Sequence, residues 1–184
     1  MRSLRGHFLI ASPQLPDPNF CQSVVLIIEH NEMGAFGLVL NRPSSITIGK
    51  LYEEITGLSV DNRQLVRMGG PIQGPVMSLH RVKSLSDEVV VSGVYVTSDK
   101  TGLQTLIQNN EAPYLLFNGY SGWGTGQLEG ELKVGGWLVS KATADLVFTS
   151  DFEELWKLLV ESHGRKILSD ALGLSNFPED PSLN

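Results

Sequence analysis

Two stretches hold the side chains that could do chemistry. The first is Glu29-His30-Asn31, at the end of an apolar run. A histidine with a carboxylate neighbour is how a general base is assembled. Adjacent residues on a strand point to opposite faces, however, so Glu29 and His30 need not touch. Strand-end His and Asn also bond turn backbone. Spacing alone places no nucleophile or orienting carboxylate on His30, so the structural role is the expected one.

The second stretch runs from Asn118 to Glu131, N-G-Y-S-G-W-G-T-G-Q-L-E-G-E. It follows the apolar run Tyr114 to Phe117 and precedes Gln127-Leu128-Glu129, so it reads as a strand–turn–helix joint with Trp123 at its apex. Its glycines supply the φ > 0 that such a reversal needs. Gly124 or Thr125 is the expected N-cap. A helix start rich in glycine can also cradle a phosphate. The patterns G-x-G-x-x-G and G-x-x-x-x-G-K-[ST] are both absent, so a structural turn is expected. Trp123 could stack on a ligand or partner, or fold back over the sheet edge. Trp137 and Trp156 are expected in the core.

Other chemistries find little support. His7, His30, His80 and His163 are isolated, so no metal site is expected. Cys21 has no C-x-x-C partner and is expected to be a small buried apolar residue. Ser121, in G-Y-S-G-W, misses the G-x-S-x-G nucleophile pattern by one position. No cofactor motif is found.

The chain has 184 residues, 41% apolar and 18% charged. That predicts one domain over residues 1–176, with a loose tail at 177–184. Roughly 70% of the unfolded surface is buried at this length, so no staple is needed. One cysteine suits a reducing compartment. No signal h-region or stretch of ~20 apolar residues is present, so a cytoplasmic protein without a membrane span is expected. The net charge is −6, with +2 over residues 1–83 and −8 over 84–184. DNA binding needs clustered basic residues. Here the one candidate patch is Arg63, Arg67, Arg81 and Lys83, and nucleic acid is not an expected partner.

The elements that must position these groups follow from periodicity. His7–Ala11 and a continuous apolar run, 24–28, read as strands, the latter central. Residues 36–40 form the return strand of a hairpin, stopped at Asn41-Arg42-Pro43. Thr47 or Ser45 caps a helix carrying Ile48, Leu51 and Ile55, ended by Gly57. Leu65–Met68 is a strand running into Gly69-Gly70-Pro71. Residues 76–82 alternate and should show one face to solvent. Residues 89–96 read as one strand with a bulge at Gly93. Asp99 caps a helix closed near Asn110. After the joint come short strands at 137–139 and 146–148. A capping box, Ser150 to Glu153, opens a helix with Phe152, Leu155, Trp156 and Leu159 on one stripe. Gly164 is expected to interrupt it, and Gly173 to end it. This order favours α+β with a mixed sheet over a doubly wound fold.

Several segments together resemble the bacterial YqgE/AlgH family, in order and across nearly the whole chain. They are residues 8–13 (F-L-I-A-S-P), 17–20 (D-P-N-F), Glu29-His30-Asn31, residues 34–43 (G-A-F-G-L-V-L-N-R-P), Gly69-Gly70-Pro71, and 119–129 (G-Y-S-G-W-G-T-G-Q-L-E). The resemblance implies a single-domain α+β fold whose mixed, bifurcated β-sheet curls into a pseudo-barrel flanked by helices. It implies a cytosolic protein associated with transcriptional regulation, and no reaction or cofactor. Its motif positions become candidate ligand-binding residues: His30, Asn31, Asn41, Arg42, Gly70, Trp123, Gln127 and Glu129. Some members carry a cysteine just before E-H-N, where this chain has Ile28. Two readings follow. One is a regulatory module whose four polar motifs converge on a rim and bind a small molecule or protein partner. The other is a hydrolase-like enzyme with His30 as general base.

Overall fold

A computed structural model describes residues 2–86, 88–110 and 112–173. In chain order the strands and helices are β1 (His7–Ala11), β2 (Val24–Asn31), β3 (Gly34–Val39), β4 (Pro43–Thr47), α1 (Ile48–Thr56), β5 (Leu65–Met68), β6 (Met77–His80), β7 (Glu88–Val91), β8 (Val94–Thr97), α2 (Lys100–Asn109), β9 (Tyr114–Asn118), β10 (Ser121–Gly124), α3 (Gln127–Lys133), β11 (Trp137–Lys141), α4 (Ala144–Val147) and α5 (Leu155–Leu172). The expected end of the domain at Asn176 and the tail at 177–184 lie outside the described residues.

The strands form two sheets, β10-β3-β2-β1-β11 and β4-β5-β9-β6-β8-β7. The first is antiparallel, and the second is mixed through the parallel β5–β9 pair. Phe8, Ile10, Val24, Leu26 and Leu38 of the first sheet meet Leu79, Val96 and Phe117 of the second. Each such fully buried side chain contributes about 1.5–3 kcal/mol. The alternate residues Leu9, Val25, Ile27 and Val39 face outward under Trp123, Trp137 and Leu128 of α3. On the far side of the second sheet, Ile48 and Tyr52 of α1 and Leu106 and Ile107 of α2 cover Val66 and Leu116. The sheets join where the chain leaves β9 for β10. There the Gly69 N–H donates to Asn118 O and the Val39 N–H to Gly69 O. The two sheets therefore diverge from a shared seam without closing a barrel, as the α+β pseudo-barrel requires.

A bulge decides where His30 goes. The β2–β3 register jumps between Ile27 and Glu29, so His30 pairs with Ala35 and Glu29 with Phe36. Simple alternation would place His30 on the side of Ile28, in the inter-sheet core. The extra residue moves it to the side of Ala35, facing α3.

Several local expectations are corrected. The glycine joint contains a strand, β10, which pairs with β3. Its helix is capped by Gly126 at φ 73, not by Gly124 or Thr125. Pro43 opens β4, because the first residue of an edge strand needs no ladder N–H. β6 is buried throughout, since it lies inside its sheet. Residues 89–96 divide into the β7–β8 hairpin, and Gly93 is its turn. Residues 146–148 are not a strand: Thr143 accepts from the Leu146 N–H and starts α4. The Ser150–Glu153 capping box does not form. Instead α5 begins at Leu155, after a turn in which Asp151 accepts from the Glu154 N–H. Gly164 does not interrupt α5; one exposed helix glycine costs only about 1 kcal/mol. Cys21 is exposed. The caps at Thr47, Asp99 and Gly57 and the stop at Gly173 are as expected.

Candidate functional site

The short helix α3 gathers half of the expected site residues. The His30 ring is buried and its Nε2 donates to Glu129 at 2.9 Å. Its Nδ1 accepts the backbone N–H of Leu4 at 3.0 Å. A peptide N–H can only donate, so the ring proton sits on Nε2 and both nitrogens are occupied. Glu129 is held below the usual carboxylate range, first by its own backbone N–H and then by His30. Glu29 points away and accepts from Asn31.

Two residues further on, Glu131 binds two indoles. Its Oε2 accepts from Trp123 at 2.9 Å and from Trp137 at 2.8 Å. Its Oε1 accepts from Gln127 at 3.0 Å, and Gln127 itself accepts the Gly124 N–H. Phe20 lies against both tryptophan rings. Trp123 is thus 5% exposed and packed on its own sheet. The helix N-terminus carries Glu129 in its first turn, and Gln127 takes the preceding N–H, which leaves no phosphate cradle.

The other expected residues lie elsewhere. Asn41 accepts the Val24 N–H and donates to Gln22 O, and Arg42 donates to Cys21 O. Val24 and His30 are at opposite ends of β2, about 20 Å apart at ~3.3 Å per residue. Gly70 sits at the seam against Tyr120 and Ser121. The four motifs therefore do not converge on one rim. E-H-N meets the latter half of the glycine joint, Trp123 to Glu131, at α3; G-G-P touches only the start of the joint, at residues 118–121, and N-R-P lies at the other end of β2.

A cleft of about 790 Å³ opens at the Asn41 end instead. It runs between β4, β5 and β9 on one side and residues 148–153 on the other. Arg67 points into this side because Val66, its neighbour, covers the α1–α2 face. Its guanidinium lies 3.5 Å from the centroid of the Phe152 ring. The candidate basic patch is partly neutralised. Arg63 pairs with Asp61 and Arg81 with Asp145, while Arg67 is half-buried.

Glu131 is the residue that sequence reasoning passed over, and Arg67 was considered only as part of a basic patch. Glu131 was detectable in principle: it stands four residues after Gln127 on one helix face, and buried indoles need acceptors. Nothing in the sequence pairs Arg67 with Phe152. Among the described residues, no group of three or more His, Cys, Asp or Glu could hold a metal, and no helix is long and apolar enough to cross a membrane.

His80 is fully buried and its Nδ1 accepts the Val82 N–H; desolvation lowers its pKa below the ordinary 6.5. Above that pH the ring is neutral folded and unfolded. As pH falls through 6.5, the unfolded chain takes a proton that the buried ring refuses, so stability declines until the folded pKa is passed. Urea unfolding should show this acid limb, shallower in His80→Phe; an identical limb in the variant contradicts it.

Residues 8–168 match the family model described as AlgH-like, DUF179. A UPF0301 protein of Chlorobium limicola is 37% identical over 187 residues, covering 97% of this chain and 95% of that one. One of Vibrio parahaemolyticus is 36% identical, covering 88% and 92%. The solution structure of the AlgH protein from Pseudomonas aeruginosa matches with a TM-score of 0.73 at 30% identity, covering 97% and 96%. A crystal structure from Corynebacterium diphtheriae matches at 0.70 and 24% identity, covering 88% of each chain, a likeness of fold.

Proposed function

The chain belongs to the AlgH-like family, DUF179, and we propose that it is a non-catalytic binding module serving bacterial regulation in the cytoplasm, through a small-molecule ligand rather than by gripping DNA. The observation that carries this reading is the occupied His30 ring. With Nδ1 on the Leu4 N–H and the proton of Nε2 on Glu129, no lone pair is free to take a proton from a substrate. We assign His30, Trp123, Gln127, Glu129 and Glu131 to bracing α3 on the first sheet. Ligand contact we assign to the cleft that Asn41 lines, whose volume lies within the 300–1,000 Å³ usual for small-molecule sites.

A turnover assay against p-nitrophenyl esters and phosphates tests the catalytic alternative. The expected result is no hydrolysis that depends on His30. Turnover abolished in a folded His30→Gln variant would favour the hydrolase reading instead. The acidic balance and the pairing of Arg63 and Arg81 support the exclusion of DNA. A gel shift should find no complex at physiological salt. A complex whose affinity falls steeply with salt, with a slope of several, contradicts this.

A further inference from the structure

We propose that the cleft binds a small organic oxyanion, a carboxylate or phosphate ester, and that Arg67 is its anchor. This rests on the cleft being the ligand site.

The argument begins with what Arg67 lacks. It stands inside a sheet, paired with Pro43 of β4 and Phe117 of β9. Burial there pulls its pKa down to about 10. A cation placed in such surroundings ordinarily has a carboxylate or carbonyl partner. Among the described residues Arg67 has neither, and its Nε is buried with no acceptor. Among the described residues its guanidinium is stacked on the face of Phe152.

That contact defines what remains available. An aromatic ring on the face of a guanidinium leaves the in-plane N–H donors unused. Those donors form a fork matched to two oxygens of one carboxylate or phosphate. An oxyanion received side-on, by Nε and one Nη, satisfies the orphaned Nε, a small shift of the side chain bringing that covered atom to the cleft. Pro43, Leu65 and Phe148 supply apolar wall for an organic body. Asp151 and Glu153 stand on the rim, and both are exposed. Solvent there weakens their repulsion of the anion. It also gives a reason for the failed capping box: with Phe152 over Arg67, residues 152–154 turn before α5 begins.

The test uses the full chain and three probes of one shape: phenyl phosphate, benzoate and neutral benzyl alcohol. The Arg67 Nε–H resonance is followed by NMR, and calorimetry gives Kd. The expected result is saturable movement of that resonance with both anions and none with benzyl alcohol. Arg67→Met should weaken phenyl phosphate at least about tenfold, the loss of one charge-assisted hydrogen bond. Arg67→Lys keeps the charge but not the fork and should fall between. If Arg67→Met fails to fold, the wild-type resonance and the benzyl alcohol comparison still decide. Benzyl alcohol binding as tightly as the anions overturns the proposal while leaving the cleft a ligand site. No binding of any probe at the cleft overturns both. Anion binding unchanged in a folded Arg67→Met variant places the anion elsewhere and also overturns it.

Discussion

Glu131→Ala is expected to destabilise the protein by about 3–5 kcal/mol in urea unfolding. The carboxylate is the acceptor for two indole N–H groups, and Trp123 and Trp137 are 5% and 4% exposed. Leaving a buried donor without a partner costs about 1–3 kcal/mol, and here two are orphaned at once. Gln127 loses a partner too, although it is exposed. Glu131→Gln keeps an acceptor oxygen for the indoles and should cost less than half as much. A loss below about 1 kcal/mol for Glu131→Ala would show that water replaces the carboxylate and that α3 is not braced in this way.

Gly70→Ala is expected to cost about 3 kcal/mol or more. At φ 155 a side chain is strained before any contact is considered. An added Cβ would also lie 2.3 Å from the carbonyl carbon and oxygen of Tyr120, and 2.4 Å from the Ser121 hydroxyl. These atoms sit at the seam between the sheets and have no free rotor to move aside, except the hydroxyl. Gly57 provides the comparison. It has φ 72 with nothing within 4 Å of the added carbon, so Gly57→Ala should cost only the left-handed backbone penalty of about 1–2 kcal/mol. Equal losses at the two positions would remove the argument from the seam.

The elements that carry a strong local signal were legible. β2 is a continuous β-branched run, and α1 and α2 have Thr47 and Asp99 as caps. β10 was not legible, because S-G-W-G has no alternation of its own and becomes a strand only by lying beside β3. β6 alternates in sequence yet is buried on both faces, a property of its place in the sheet. The pairing of His30 with Glu129 depends on a bulge and spans a sequence separation of 99, so no spacing rule reaches it. Arg67 carried too little signal for a different reason. Read alone, an arginine between Val66 and Met68 is a surface charge; its burial comes from Phe152, far along the chain.

The claim on which the functional reading turns is that His30 braces α3 and does no acid–base chemistry. Nitrogen-15 NMR of the imidazole measures it directly. The result expected at neutral pH is a proton fixed on Nε2, a bare Nδ1 coupled to the Leu4 N–H, and no response to ligands that enter the cleft. A proton on Nδ1, or one exchanging between the two nitrogens, would contradict the account and return His30 to the list of bases.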